Sequence, residues 1–395
     1  MAVREIRPGI YSVGSLDFDR RLFDSLIPLP EGTTYNSYLI RGEEKTALID
    51  TVDPTKEFDL ICNLVRVEAD RIDYIVANHA EQDHSGALPI MLEMYPDSKV
   101  MCTEKCRDLL VHLLQIDQDR CTTVKDRETL PLGGRTLEFI HAPWVHWPET
   151  MLTYSREDRI LFPCDLFGSH FATSDLYATD EKRIYYAAKR YYAEIMMPFR
   201  ASIRSHMERL KEYPVELIAP SHGPVHRDPN FILNAYRDWI SDDVKNEVVV
   251  PYVSMHGSTG KMVEYFSGAL MDRGITVKPF NLNVTDIGEL AMALVDTATV
   301  VFATPTVLFG PHPVVTYAAS LANLIRPKMK FASVICSYGW GGTAVDKLKG
   351  LLTHIKPEFL EPVMVRGAPD VETQRSLDRL ADDIVARHKA AGIAS

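Results

Sequence analysis

Paired cysteines, long apolar runs and a basic net charge are all missing from this sequence of 395 residues. Its six cysteines are scattered, and none forms the C-x-x-C pair that is typical of zinc ribbons and tetrathiolate iron sites. No apolar run approaches the roughly 20 residues that a membrane-spanning helix requires. The net charge of −11 argues against broad nucleic-acid binding, which needs a basic face. We therefore expect free thiols, no membrane span and no nucleic-acid partner.

The amino-terminal segment also lacks an apolar stretch of the signal-peptide type, so we expect a cytoplasmic location. Hydrophobic residues make up 46% of the chain and charged residues 25%, which is the balance of a globular protein. A chain of this length normally divides into two domains of about 150 to 250 residues each.

Two different patterns divide the chain. The first half alternates short β-rich runs with turns and amphipathic helical stretches, of which the longest spans 185–211, and this predicts a mixed α/β sandwich. From about Glu247, five strand segments each lead into a helical stretch, which predicts a doubly wound parallel sheet with strand order 2-1-3-4-5. The polar segment 241–247 is the best linker candidate. We therefore predict domains at 1–246 and 247–395.

The segment Asn78–Gly86 packs four potential metal ligands into six residues, directly after a predicted strand that ends at Ala77. A loop at the carboxyl end of a strand turns several side chains toward one point, and a helix expected from near Ser85 orients the last of them. A polar loop with helix-capping residues is the alternative interpretation. The four potential ligands are His79, Glu81, Asp83 and His84.

Two metal coordination spheres need more ligands than this segment provides, and further candidates follow three other predicted strands. These are His146, Asp165 and His222. Each alone is more typical of a hydrogen-bonded strand end, whereas their combination on one sheet favours a metal site. His226 lies close to His222 and is the alternative at that position, although Ser-His-Gly at a strand end favours His222.

The pattern His-x-Glu-x-Asp-His, followed by a His, an Asp and a final His, resembles the metal site of flavodiiron proteins. The resemblance spans both halves of the chain. It implies a metallo-β-lactamase-like αββα sandwich that holds a non-haem diiron site, followed by a flavodoxin-like doubly wound parallel sheet that binds FMN. Carried over position by position, it implies one iron bound by His79, Glu81 and His146, another bound by Asp83, His84 and His222, and a bridging Asp165.

The carboxylate at Glu81 separates this pattern from hydrolytic relatives of the same fold, which read His-x-His-x-Asp-His and usually hold zinc. An anionic oxygen donor favours redox-active iron over zinc in a mixed site. A dizinc hydrolase with an accessory flavodoxin-like module is the first alternative and is disfavoured by Glu81. An electron-transfer protein with a vestigial metal site is the second, and the occupation of all seven ligand positions argues against it.

Several side chains near these ligands are candidates for lining the pocket. Trp144, Trp147 and Tyr35 fit this role, although core packing explains the tryptophans about as well. His170 is a candidate for donating a hydrogen bond to a bound substrate.

The first βα turn of the second half, Val253–Lys261, is rich in hydroxyl groups and glycine and precedes a helix expected from near Lys261. It resembles the flavodoxin phosphate loop, in which backbone amides and hydroxyls hold the FMN phosphate without a basic side chain. Two later loops suit the isoalloxazine ring, with core packing as the alternative for Phe309 and Trp340. The expected FMN contacts are Ser254, Met255, His256, Gly257, Ser258, Thr259, Thr304, Pro305, Thr306, Phe309, Gly310, Ser337, Tyr338, Gly339, Trp340, Gly341 and Gly342.

The same resemblance implies a reductase that converts dioxygen to water, nitric oxide to nitrous oxide, or both, with electrons relayed through FMN. It also implies a head-to-tail homodimer, or a dimer of dimers, in which each FMN abuts the diiron site of the partner chain. No rubredoxin or reductase module follows the second half of this sequence. We therefore expect an external electron donor, either rubredoxin or a reduced deazaflavin coenzyme.

Overall fold

The computed structural model describes residues 3–394 and shows two compact units. The first unit consists of the chain up to Tyr192 together with Phe199–Ile240, and the second of Ala193–Pro198 together with the chain from Ser241 onward. The first strand of the second unit already begins at Lys245, within the expected linker. The domain assignment at 1–246 and 247–395 itself stays a prediction.

The first unit contains two main sheets and seven α-helices among its described residues. One sheet has the order β1-β2-β7-β8-β9-β10-β11 and the other β12-β13-β14-β15-β16. The strands are β1 (Arg4–Arg7), β2 (Ile10–Ser12), β3 (Ser15–Asp17), β4 (Leu22–Phe23), β5 (Ile27–Pro28), β6 (Thr33–Tyr35), β7 (Tyr38–Arg41), β8 (Thr46–Ile49), β9 (Tyr74–Val76), β10 (Lys99–Cys102), β11 (Cys121–Thr123), β12 (Thr129–Pro131), β13 (Thr136–His141), β14 (Met151–Ser155), β15 (Ile160–Phe162) and β16 (Leu217–Ile218). The helices are α1 (Glu57–Arg66), α2 (Gln82–Ser85), α3 (Leu88–Met94), α4 (Glu104–Leu114), α5 (Glu181–Tyr191), α6 (Arg200–Leu210) and α7 (Pro229–Ile240).

Alternating side chains place the two faces of the first sheet in different cores. Leu48 of β8 packs with helix residues such as Leu60 of α1, whereas its neighbour Ile49 packs with Phe139 and Phe162 of the second sheet. Successive side chains of a strand point to opposite faces, so a strand buried on both faces reads as a continuous apolar run. This arrangement confirms the αββα sandwich.

Two helical expectations in this unit are wrong, and proline explains both. The stretch 185–211 is not one helix, because α5 ends at Tyr191 and α6 begins at Arg200, with a π-helical turn and a 3-10 turn between them. Pro198 lies in this interruption and has no N–H to donate along a continuous helix. The helix expected from near Ser85 is likewise split into α2 and α3, and Pro89 lies in the first turn of α3.

The second unit is a parallel sheet flanked by helices. Its order is β18-β17-β19-β21, with β22 and β23 both beside β21, which confirms the expected order 2-1-3-4-5. The strands are β17 (Lys245–Tyr252), β18 (Thr276–Asn281), β19 (Thr297–Val307), β20 (Gly310–Pro311), β21 (Phe331–Tyr338), β22 (Glu358–Phe359) and β23 (Val363–Arg366). The helices are α8 (Ser258–Asp272), α9 (Ile287–Leu294), α10 (Pro313–Ile325), α11 (Ala344–Leu351) and α12 (Val371–Ala390).

The helices carry no membrane-spanning candidate. Within residues 3–394, none combines the length and the apolar character that crossing a bilayer would require.

A buried histidine ties α12 to the sheet of the second unit. His388 is fully buried, with Nδ1 2.7 Å from Asn246 Oδ1 and Nε2 2.7 Å from Thr299 Oγ1. Burial lowers the pKa of His388 to about 4, because the charged imidazolium is poorly solvated there. The neutral ring is therefore the form that the fold holds near neutral pH.

We predict that acid destabilises the second unit through this ring. The folded pKa lies below the ordinary value of about 6.5, so the unfolded chain binds the extra proton first. The stabilising contribution is complete above about pH 6.5 and is lost as the pH falls toward 4. Thermal unfolding at neutral pH and near pH 5 measures this loss. His388→Gln is expected to lower the melting temperature at neutral pH and to flatten its pH dependence, whereas His354→Gln, at an exposed position, should change neither.

Candidate metal centre

Four loops of the first unit carry the candidate ligands, each loop following a strand of one of the two sheets. The loop after β9 and the short helix α2 carry the first four, and the segments after β13, β15 and β16 carry one each. The structure gathers their side chains into two groups, in each of which the ligand atoms lie within 4.8 Å of one another. The first group is His79, Glu81, His146 and Asp165, and the second is Asp83, His84 and His222.

The loop after β9 is held by a buried hydrogen-bond network. The Asp50 carboxylate accepts from both the backbone N–H and the side-chain amide of Asn78, at 2.8 Å and 2.9 Å. The Asn78 side-chain oxygen accepts in turn from Thr153 Oγ1 at 2.7 Å. Since Asp50 follows β8 and Thr153 lies on β14, the loop is anchored to both sheets, and this orients the histidine that follows it.

The first group is arranged around one carboxylate oxygen. Glu81 Oε2 lies 3.1 Å from His79 Nε2 and 3.2 Å from His146 Nε2. Asp165 Oδ2 lies 3.4 Å from His146 Nε2 and 3.7 Å from His79 Nε2. Two imidazole nitrogens and two carboxylates thus converge on one point.

The second group converges in the same way. Asp83 Oδ2 lies 3.0 Å from His222 Nε2 and 3.3 Å from His84 Nε2. The other oxygen of Asp165, Oδ1, lies 3.0 Å from His84 Nε2 and 3.4 Å from His222 Nε2. Asp165 therefore presents one oxygen to each group, which is the arrangement that a bridging carboxylate needs.

The residues fit a pair of cations. Both oxygens of Asp83, Asp165 Oδ2 and His222 Nε2 are buried, and no described residue forms a hydrogen bond with any of them. Buried polar atoms are otherwise almost always paired, and leaving one unpaired costs about 1–3 kcal/mol. Mixed imidazole and carboxylate donors suit iron, zinc or manganese ions. A bound cation would satisfy all four atoms at once.

The electrostatics of the site also favour positive charge. Burial lowers the pKa of His222, but the nearby carboxylates of Asp165 and Asp83 outweigh it and raise that pKa to about 10. Burial also lowers the pKa of His146, but the nearby carboxylates of Asp165 and Glu81 outweigh it and raise that pKa to about 9. The carboxylates therefore create a field that stabilises a cation.

The structure separates His222 from the alternative His226. His226 lies outside both groups, with Nε2 3.3 Å from the backbone carbonyl of Phe167, and burial lowers its pKa to about 4. His222 Nδ1 lies 2.5 Å from the Thr34 carbonyl, so its Nε2 faces Asp83.

His170 lies beside the second group rather than in it. Its ring centroid lies 4.8 Å from that of His222, in a tilted arrangement, and 4.8 Å from that of Tyr191, edge-on, and its Nδ1 lies 2.8 Å from Thr33 Oγ1. Burial holds the pKa of His170 well below its ordinary range. Its Nε2 is buried and has no hydrogen-bond partner among residues 3–394, so its role toward a substrate stays a prediction.

The aromatic candidates divide between the site and the surface. Trp147 packs edge-on against the ring of His79 at 4.9 Å, and the buried Tyr35 lies 6.0 Å from the ring of His222. Trp144 is 52% exposed, so it does not pack in the core. A cavity leads from solvent to the ligands, and its walls include Arg20, Phe23, Asp24, Glu81, Asp83 and Trp147.

Sequence reasoning missed two residues whose side chains hydrogen-bond with the side chains of ligands. Glu149 Oε1 lies 2.7 Å from His79 Nδ1, and the Tyr191 hydroxyl donates to Asp165 Oδ1 at 2.7 Å. Glu149 ends the same segment as His146, so its carboxylate was a detectable signal. Tyr191 lies at the end of α5, and its sequence position gives no indication of this contact.

A cleft lies at the carboxyl edge of the parallel sheet in the second unit, with about 720 Å³ of empty space. The helix α8 begins here at Ser258, three residues before the expected start, after Gly257 with φ +89°. This backbone conformation favours glycine, and Gly257 has no side chain that could cap the first amides of the helix. Ten of the expected FMN contacts line the cleft: Met255, His256, Ser258, Thr259, Pro305, Thr306, Ser337, Tyr338, Gly339 and Trp340.

The remaining expected contacts lie outside the walls of this cleft, and one wall residue was not expected. Ser254 Oγ accepts from Gly260 N, and Thr304 Oγ1 accepts from His312 N, so both hydroxyls shape the loops. Gly367, at the end of β23, was missed although it follows a strand of the same sheet edge. The other expected residues outside the walls are Gly257, Phe309, Gly310, Gly341 and Gly342.

Core packing does not explain the two aromatic residues of the later loops. Trp340 is 78% exposed and Phe309 is 62% exposed. Two more apolar side chains are also exposed around the cleft, Met255 of the first βα turn at 51% and Leu308 of a later loop at 86%. Exposed apolar side chains at a cleft indicate a surface that is covered by a ligand or a partner.

Comparison with known proteins finds matches over nearly the whole chain. Residues 33–223 match the ODP family beta lactamase. The chain is 38% identical to a nitric oxide reductase of Moorella thermoacetica, over 97% of this chain and 98% of that one. It is 33% identical to an anaerobic nitric oxide reductase flavorubredoxin of Vibrio vulnificus, over 94% of this chain and 77% of that one.

Solved structures agree with these sequence matches. A rubredoxin oxygen:oxidoreductase from Desulfovibrio gigas superimposes with a TM-score of 0.95 at 29% identity, over 98% of this chain and 99% of that one. A flavodiiron protein from Giardia intestinalis superimposes with a TM-score of 0.91 at 28% identity, over 100% of this chain and 99% of that one.

The cleft yields a prediction about phosphate binding. Ser258→Asp places a negative charge at the start of α8, where a phosphate dianion would meet the helix amides. We expect FMN to bind about tenfold more weakly or worse, because like charges a few ångströms apart repel. Flavin absorbance of the purified protein, and FMN titration of the flavin-free form, measure the change.

Ser267→Asp is the matched control, since it adds the same charge nine residues further along α8. It should keep full flavin occupancy. Metal content should stay unchanged in both variants. Full occupancy in Ser258→Asp would show that the phosphate lies elsewhere.

Proposed function

Because the chain belongs to the flavodiiron protein family, we propose that it reduces dioxygen to water, nitric oxide to nitrous oxide, or both, at a non-haem diiron site supplied with electrons through FMN. The observation that carries this proposal is the convergence of six histidine and carboxylate side chains around a seventh, Asp165, whose two oxygens face the two groups. The named relatives support the reaction class, since two of them are nitric oxide reductases and one is an oxygen oxidoreductase.

The ligand assignment follows the two groups. One iron is held by His79, Glu81 and His146, the other by Asp83, His84 and His222, and Asp165 bridges them. Bound ferrous ions would supply reducing electrons and open coordination positions for a diatomic molecule. Of these ligands Glu81 and His146 are partly exposed and the other five are buried. The cavity described above gives a small molecule a path to Glu81 and Asp83.

The surrounding residues order the site around the ligands. The Tyr191 hydroxyl donates to Asp165 Oδ1 and so fixes the orientation of the bridging carboxylate. The Thr34 carbonyl near His222 Nδ1 fixes that ring with Nε2 toward Asp83. His170, neutral because of its lowered pKa, is positioned to hydrogen-bond a polar molecule beside the second group.

FMN is the flavin that the second unit fits. Hydroxyls of Ser258 and Thr259 and the backbone amides of these two residues at the start of α8 suit a phosphate without a basic side chain. Trp340 and Tyr338 line the same cleft and offer aromatic surface to the ring. FMN bound here would supply one- and two-electron redox chemistry.

We further propose that the working unit is a head-to-tail homodimer or a dimer of dimers, in which the FMN of one chain abuts the diiron site of the partner chain. The exposed apolar side chains Met255, Leu308, Phe309 and Trp340 around the cleft support a covered surface there. The donor is an external one, rubredoxin or a reduced deazaflavin coenzyme.

The first experiment measures metal and flavin on one purified sample and then turnover of the anaerobically reduced protein. We expect about two irons and one FMN per chain, with consumption of dioxygen, nitric oxide or both. Zinc without flavin would instead support a dizinc hydrolase. Flavin that reoxidises without turnover at the metal would support an electron-transfer protein.

A second experiment tests the carboxylate that separates this site from hydrolytic relatives. We predict that Glu81→His shifts the retained metal from iron toward zinc, because an imidazole removes the anionic oxygen donor. Turnover should fall more than about tenfold, since loss of a direct ligand exceeds the cost of losing an outer partner. FMN content should not change.

Glu93→His is the control, because Glu93 is exposed on α3 and outside both ligand groups. It makes the same chemical change and should keep iron and turnover. Retained dioxygen and nitric oxide reduction in Glu81→His would contradict the assigned role of this carboxylate.

A further inference from the structure

Glu149 is a buried carboxylate whose nearest charged neighbour is a candidate iron ligand. Its Oε1 lies 2.7 Å from His79 Nδ1 and accepts from the backbone N–H of Ala80 at 3.1 Å. The side chain is 0% exposed, and Oε2 has no hydrogen-bond partner among the described residues. A buried ionised group with one unpaired oxygen is costly, so its retention in the core calls for an explanation.

The position of Glu149 is fixed by its backbone. The Thr103 hydroxyl donates to the Glu149 carbonyl at 2.9 Å, directly after β10, and also caps α4 by accepting from Cys106 N. The side chain therefore starts from a rigid point between the two sheets. It extends to His79 from the side opposite Glu81, which lies 3.1 Å from the other ring nitrogen.

The two ring nitrogens of His79 therefore face two different environments. Nδ1 faces Glu149 only, while Nε2 faces Glu81 and Asp165, where the metal is expected. A neutral imidazole carries one N–H, and a carboxylate 2.7 Å from Nδ1 holds that proton there. The lone pair is then left on Nε2, which is the form that binds a metal.

We propose that Glu149 is a positioning residue for the diiron site. It fixes the tautomer and the ring orientation of His79, and its negative charge makes Nε2 a stronger donor to the metal. This inference rests on the proposed function, because it needs a metal at the group formed by His79, Glu81, His146 and Asp165. Its effect should be confined to that metal position, since Glu149 does not contact Asp83, His84 or His222.

The alternative role for Glu149 is purely structural. Its bond to Ala80 N ties down the loop after β9, and losing that bond would destabilise the chain whether or not metal is present. The two roles differ in what they predict for the metal-free protein. A positioning role changes metal retention with little change in the metal-free melting temperature, whereas a structural role lowers that temperature and weakens both metal positions together.

The test is competition between the protein and a chelator, with cobalt(II) as a coloured probe and iron(II) under anaerobic conditions. Glu149→Gln keeps a hydrogen-bond acceptor but removes the charge. We expect one of the two metal equivalents to bind about 10- to 100-fold more weakly, while the other keeps its wild-type affinity. The cobalt absorption bands of only one position should change.

Glu138→Gln is the matched control. Glu138 is also buried, on β13, and its carboxylate accepts from Tyr213 and pairs with Arg156 away from the ligands. This variant should lower the metal-free melting temperature and leave both metal affinities unchanged.

The outcomes distinguish this inference from the function on which it rests. A wild-type chain that binds no pair of metals overturns both. Two metals in the wild type, with both affinities unchanged in Glu149→Gln, overturn only the role of Glu149. An equal loss at both positions together with a lower metal-free melting temperature shows the structural role and overturns the inference as well.

A measurement on the wild-type chain covers the case in which Glu149→Gln does not fold. In the zinc-loaded protein, which is diamagnetic, histidine nitrogen shifts report the tautomer of His79 by NMR. We expect a protonated Nδ1 with a slowly exchanging proton. An unprotonated Nδ1 would contradict the proposed contact with Glu149.

Discussion

The buried Asp165 carboxylate is the constraint on which the first unit depends. It is 1% exposed, and its two oxygens lie within 3.7 Å of imidazole nitrogens from four different histidines. Burial raises the pKa of an isolated carboxyl, but the surrounding histidines hold the pKa of Asp165 well below its ordinary range. A buried anion in this position is stable only if positive charge lies beside it. The site therefore requires either protonated histidines or a metal ion.

The ends of several strands bring residues that are distant in sequence close to this carboxylate. The ligands are spread from His79 to His222, yet each follows a strand or begins a helix at one edge of the sandwich. The two sheets pack through a core that includes Phe139 and Phe162. Because this core is closely packed, it holds the strand ends that carry the ligands in fixed positions. Loops that are free to vary at the opposite edge would not disturb it.

Much of this could be predicted from sequence because the determining signals are local. The His79 to His84 segment, the strand order of the second unit and most residues of its cleft follow from short-range patterns. Contacts that depend on tertiary packing could not be predicted from the sequence. Tyr191 reaches Asp165 only because α5 ends beside it. The interruption around Pro198 differs from this contact, because a proline within a helical pattern is a local signal of a break. Gly367 has no side chain to mark its place in the cleft.

The candidate metal centre suits positive charge and the cleft suits negative charge, and different chemical groups provide these two environments. The candidate metal centre suits cations, because two of its three carboxylates, Asp83 and Asp165, are buried and solvent screens their charge little. The cleft suits an anion with hydroxyls and backbone amides, which carry only partial charges. A lysine or arginine at the phosphate position would add affinity but also a strong, fixed charge beside a flavin whose own charge changes with reduction. Neutral donors would bind a phosphate while leaving the redox state of a bound flavin ring to be set by the residues around it.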